Sequence, residues 1–121
     1  MILVDTSVWV DHLRSGNRRL TQLLEGARVI VHPFIIGELA LGNLRQRDII
    51  LGTMHNLPQT NVARHSEVLH FIHDEVIFGR GIGYVDAHLL ASTRLTPGTL
   101  LWTRDRRLHY VADGLGLAMA D

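Results

Sequence analysis

The chain has 121 residues, enough for one domain that buries roughly two thirds of the surface its unfolded form exposes. Cysteine is absent, which excludes disulfides, thiolate metal sites and a cysteine nucleophile and leaves oxygen and imidazole as metal ligands. Twelve basic residues balance twelve acidic ones, so no whole-molecule field draws in a polyanion and any basic patch is local. The basic residues are all arginine; a codon bias explains this as simply as a phosphate ligand, whose oxygens a guanidinium grips in pairs.

The N-terminus, Met1-Ile2-Leu3-Val4-Asp5, has neither the basic start of a signal peptide nor the length of a membrane span. The expectation is a single domain over residues 1–121 in the cytoplasm, without membrane attachment. Along the chain, Ile2 to Val4, Arg28 to Val31 and Thr99 to Trp102 are apolar or nearly so on both faces, the pattern of parallel strands covered on both sides. Thr60 to Val62 and Leu117 to Met119 are weaker strand candidates nearer the edges. Helical segments lie between them: one from Val8 capped by Thr6 or Ser7, one entered at Pro33 and running through Glu38, and one begun at Ser66 with Val68, Phe71, Ile72 and Glu75 at helical spacing. Tyr84 to Leu95 follows the glycines at 79, 81 and 83, and Asp105 to Val111 follows the last strand directly. This alternation predicts an α/β fold, a three-layer sandwich with a central mostly parallel sheet.

Four carboxylates interrupt these apolar stretches: Asp5, Glu38, Asp86 and Asp105. Taking a carboxylate out of water is costly unless something compensates, and a hard divalent cation does so where several converge. Asp5 and Asp105 each follow a strand, so both fall on the carboxyl edge of the sheet, where open α/β sheets bind ligands. Glu38 and Asp86 lie about one turn into helices that start at the same edge. Singly, Asp5 and Asp105 are explained as helix N-caps and Glu38 as a solvated helix residue; together the four predict one site. Thr6, Ser7 and Thr103 flank two of them and can hydrogen-bond a metal-bound carboxylate.

Leu3-Val4-Asp5-Thr6-Ser7-Val8-Trp9, Pro33 to Leu39 around Glu38, Gly81 to Ala91 around Asp86, and Leu101-Trp102-Thr103-Arg104-Asp105-Arg106-Arg107-Leu108 resemble in order and spacing the signature of PIN-domain ribonucleases, and most of all the VapC toxins of bacterial toxin–antitoxin pairs. The resemblance runs from Ile2 to about Ala118. It implies cleavage of RNA dependent on Mg²⁺ or Mn²⁺, a homodimer, and inhibition by a small VapB-like antitoxin. It marks Asp5, Glu38, Asp86 and Asp105 as the acidic quartet, with Thr6 and Thr103 as supporting hydroxyls. Asp5 and Asp86 are the expected principal metal ligands, with Glu38 and Asp105 as outer or second-metal ligands.

Arg104, Arg106 and Arg107 are candidate phosphate anchors, with a solvated helix start as the plain alternative. Tyr84 or Trp9 can stack on a base, although core packing explains both more simply. A zinc site from His65, His70 and His73 is the weaker competing reading, since no partner cluster stands elsewhere. The alternative from another class is a PIN-like module that holds RNA or a partner without cutting.

Overall fold

In the computed structural model, which describes residues 1–120, three parallel strands stand in the order β2-β1-β3. The elements are β1 (Ile2–Val4), α1 (Thr6–Ser15), α2 (Arg18–Glu25), β2 (Val29–Ile30), α3 (Pro33–Ala40), α4 (Arg47–His55), α5 (His65–Asp74), α6 (Tyr84–Leu95), β3 (Leu100–Trp102) and α7 (Arg106–Gly114). β1 is central and buried along its whole length, so both of its faces are covered, as its unbroken apolar run requires. Ile2 pairs with Val29 and Leu100, and Val4 pairs with Trp102. The chain leaves β1 for one neighbour and later returns past it to the other, which makes the carboxyl edge of β1 the place where strand order reverses.

The weak edge strands shrink to isolated pairings, Val31 with Gln59 and Leu101 with Ala118. Thr60–Val62 does not form a strand because α6 captures it. The Asn61 N–H donates to the Thr96 hydroxyl at 3.0 Å and the Ala63 N–H to the buried Ser92 hydroxyl at 3.1 Å. Those bonds take the groups that a ladder would need.

Helix starts decide where the acidic residues fall. Pro33 is at the first position of α3, and the His32 ring Nδ1 accepts from the Phe34 N–H at 3.0 Å, an imidazole serving as the N-cap. Helix α1 begins earlier than expected: Asp5 is the N-cap residue and Thr6 is already helical. The hydroxyls of Thr6 and Ser7 therefore do not cap and are free for other bonds. Helices α2 and α4 are additions to the elements legible in the sequence. Leu20 and Met54 anchor them in a core shared with Leu3, Val4, Val8, Leu89, Leu101 and Leu108. Among the described residues no helix is long and apolar enough to cross a membrane.

Candidate active site

Register sets the first half of the site. The Asp5 N–H donates to the Trp102 carbonyl at 2.9 Å, which carries the parallel pairing one residue past β1 and brings Asp5 beside Thr103. Asp5 is only 7% exposed, yet its side chain makes no cap bond to α1. Its Oδ2 instead accepts two hydroxyl protons, from Ser7 and from Thr103, each at 2.8 Å. The directions of those protons are fixed from behind. The Ser7 oxygen accepts from the Arg104 N–H and the Thr103 oxygen from the Asp105 N–H, both at 3.0 Å. Two hydroxyls thus aim at one carboxylate oxygen, as partners that orient a metal ligand do.

Ser7 is the residue that motif reasoning undervalued. The sequence offered it with Thr6 and Thr103 as a hydroxyl able to bond a metal-bound carboxylate, but the family resemblance marked only the two threonines; the signal that finds it is spacing, since two residues on from Asp5 its side chain turns back over the strand end. Thr6 serves a different acid, donating to Glu38 Oε1 at 2.7 Å and tying α1 to α3.

The other carboxylates arrive on helix starts. Asp86 lies in the first turn of α6 and accepts from the Gly83 N–H at 3.1 Å; Asp105 caps α7 by accepting from the Leu108 N–H at 3.0 Å. The N-cap explanation therefore holds for Asp105, fails for Asp5, and gains a counterpart at Asp86. Asp86 is half-buried, and burial is the main cause of a pKa raised above the ordinary carboxylate value. The bond from Gly83 opposes that shift, while the charges of Asp5, Asp105 and Glu38 add to it. The charges of the other three sequence-predicted acids are thus felt at Asp86, with Asp5 buried and Glu38 and Asp105 exposed.

Among the described residues, no arginine or histidine forms an ion pair with any of the four, so their mutual repulsion is uncompensated. Nor are three or more His, Asp or Glu side chains among the described residues placed to hold a metal ion together; Mg²⁺ is commonly held through only one or two carboxylates and keeps several waters. An all-oxygen, anionic donor set fits a hard divalent cation.

The three candidate phosphate anchors diverge. Arg104 Nη1 is engaged by Asp11 Oδ2 at 3.2 Å. Arg107 lies across Gly81, where a Cβ would come 3.1 Å from its side chain. Arg106 is exposed at the first position of α7. The histidines proposed for zinc are dispersed: His70 pairs with Asp74 at 2.8 Å, and His65 bonds the Tyr84 hydroxyl.

Residues 2–114 match the family model of the PIN domain. The chain is 48% identical over 121 residues to Ribonuclease VapC32 of Mycobacterium tuberculosis, in the strains CDC 1551 / Oshkosh and H37Rv, covering 100% of this chain and 98% of the relative. Among solved structures, FitAcB from Neisseria gonorrhoeae is similar with a TM-score of 0.65 at 19% identity, over 100% of this chain and 97% of that one. FitAB bound to an IR36 DNA fragment is similar with a TM-score of 0.62, also at 19% identity, over 93% and 91%. The parallel sheet, the acids gathered on its carboxyl edge and a family match that spans nearly the whole chain agree: this protein belongs to the PIN domain family.

Proposed function

We propose that this protein is a divalent-metal-dependent endoribonuclease and the toxin of a toxin–antitoxin pair. What carries the chemistry is that the charges of Asp5, Glu38 and Asp105 are all felt at Asp86, while none of the four forms an ion pair with an arginine or histidine among the described residues. The full-length relationship to a ribonuclease at 48% identity supports RNA as the substrate.

Asp5 and Asp86 are the principal metal ligands in this reading, with Glu38 and Asp105 completing the charge at the rim. A bound Mg²⁺ or Mn²⁺ supplies Lewis-acid polarisation of the phosphoryl oxygens, an activated water and charge neutralisation at the leaving oxygen. The chain's own part is positioning. Ser7 and Thr103 fix the Asp5 carboxylate through Oδ2, and Thr6 fixes Glu38 against α1. Asp86 is held at the start of α6 by the Gly83 N–H, which fixes its carboxylate towards the other acids. Arg106 meets the phosphate of a neighbouring nucleotide, and Arg104 and Arg107 contribute if they release their present contacts.

An open groove of 790 Å³ has Glu38 in its wall together with Val10, Leu13, Leu39, Leu44 and Arg45. A segment of a small antitoxin lying in it can bring a basic side chain to the carboxylates, replacing the charge of the metal and excluding the phosphate. The assembly proposed is a homodimer with one antitoxin segment per protomer.

Cleavage of structured RNAs by freshly purified protein tests this reading. Activity is expected with Mg²⁺ or Mn²⁺, none in excess EDTA, and background rates for Asp5→Asn and Asp86→Asn. Undiminished cutting in EDTA overturns the metal chemistry. Full activity of both variants overturns the site, and RNA bound but never cut selects a non-cleaving module. Co-expression with the neighbouring reading frame is expected to give a stable complex of low nuclease activity; recovery of free, active enzyme alone argues against an antitoxin.

A further inference from the structure

Beside the carboxylates lies a cluster of rings that packing alone does not explain. Phe34 contacts His88 with ring centroids 4.7 Å apart, His88 contacts Tyr84 at 4.9 Å, and Tyr84 contacts His65 at 5.6 Å. The Tyr84 hydroxyl joins the two imidazoles, meeting His88 Nε2 at 3.1 Å and His65 Nδ1 on its other side. Only His88 is buried. Phe34 is 37% exposed, Tyr84 43%, and His65 is exposed as well. Trp9, the other aromatic considered for base stacking, is 5% exposed and belongs to the core.

In the two histidines next to these rings, His88 Nδ1 and His32 Nε2 are buried and have no hydrogen-bond partner among the described residues. His32 Nδ1 accepts from the Phe34 N–H, so the proton of the neutral ring sits on the unpaired Nε2. The rings are also placed by the acids' own helices. Phe34 is four residues before Glu38 on α3, on the same face. Tyr84 opens α6 directly after Gly83, whose N–H holds Asp86.

We propose that Phe34 and Tyr84, braced by His88 and His65, form a stacking platform for one unpaired nucleobase of the nucleotide next to the scissile phosphate. The inference rests on the nuclease reading above and deepens it by naming what the site takes besides a phosphate. Stacking on aromatic faces tolerates any base and needs the base unpaired, which directs the enzyme to loops and single strands. Tyr84, already fixed by its hydrogen-bonded hydroxyl, loses little freedom when a base docks.

The test separates binding from cutting. Asp86→Asn protein in Mn²⁺ is titrated with a short fluorescent single-stranded RNA of mixed sequence and with its abasic counterpart, which carries the same phosphates. The RNA with bases is expected to bind about tenfold more tightly, the order of one stacking contact. Added Phe34→Leu or Tyr84→Leu erases most of that preference, and Tyr84→Phe keeps it; thermal melts verify that each variant is folded. In the same protein, without any shelf substitution, a fluorescent adenine analogue walked along the RNA is quenched at one position. In otherwise wild-type protein, the leucine variants raise KM and leave kcat nearly unchanged.

Equal binding of the abasic strand, an unquenched analogue at every position, or a preference that survives both leucine variants overturns the platform. If wild type still cuts RNA in that case, the nuclease reading stands without the platform. A base preference lost in the leucine variants, in a wild type that never cuts, overturns the nuclease reading and leaves a base-binding site.

Discussion

Asp5 and Asp86 show two ways of holding a carboxylate out of bulk water. Asp5 is buried but receives two hydroxyl protons; Asp86 is less buried, has one backbone donor and feels three like charges. Ser7→Ala is expected to destabilise the fold by about 1 kcal/mol through loss of its bond to Asp5 and of the acceptor for the Arg104 N–H. It is also expected to weaken Mn²⁺ response and cleavage by about 10- to 100-fold, as loss of a ligand-orienting partner does. Metal titration followed by cleavage rate measures both, and unchanged metal affinity would show that Ser7 serves only the fold. Asp86→Asn removes a charge that repulsion penalises while its amide oxygen can still accept from Gly83. In EDTA it should melt no lower than wild type at neutral pH. Wild type should gain melting temperature as Mn²⁺ rises, by mass action, and the variant should gain less. A wild type indifferent to metal, with a strongly destabilised variant, would mean that Asp86 is a satisfied structural carboxylate.

At the scale of elements, the parts legible in the sequence were those whose pattern is local. Ile2–Val4 and Tyr84–Leu95 match their expected bounds, and Pro33 opens α3. What was hidden depended on partners distant in sequence. Nothing local shows that Asn61 and Ala63 will bond to α6 and the residue after it instead of forming an edge strand beside β2, or that Ser7 will reach a strand end from inside a helix. Glu38 is exposed on α3 while Ile35, Ile36 and Leu39 around it are buried. The positions of Asp5, Asp86 and Asp105 were legible because each follows a strand or lies in the first turn of a helix, whereas Glu38 sits in the second turn of α3; their hydrogen bonds were not, because caps and ligand partners use the same residue types. The attachment of residues 60–63 gives a test. Ser92→Ala leaves the Ala63 N–H buried without its acceptor, so stability to urea should fall by about 1–3 kcal/mol. The response to Mn²⁺ should be unaltered, since Ser92 touches none of the four acids.

Across the whole molecule, two buried titrations pull stability in opposite directions with pH. Asp86 has a folded pKa above its ordinary value of 3.8, so the folded state binds more protons than the unfolded one. That contribution is fully present below 3.8 and is lost as pH rises through the raised value. His32 does the reverse. Burial, with the neighbouring His88 second, holds its pKa down to about 4 from 6.5. The unfolded chain therefore takes up a proton that the folded chain refuses, and stability falls as pH drops from about 6.5 towards 4. A shift of that size corresponds to about 3 kcal/mol, and His88, lowered by burial and by His65, acts in the same sense. Zero formal net charge at neutral pH keeps general self-repulsion from masking the effect at the start of the titration. Wild type in chelator should thus lose stability steadily between neutral pH and about pH 4.5, the relief of Asp86 offsetting only part of the loss. His32→Asn keeps an acceptor for the Phe34 N–H, since Asn is a good N-cap, and cannot titrate. Urea denaturation at several pH values in EDTA should give a flatter profile for His32→Asn than for wild type, with the gap between them changing most from pH 6.5 to about 4. Parallel profiles would show that His32 charges freely in the folded state and that the imidazole beneath the aromatic shelf is not held neutral.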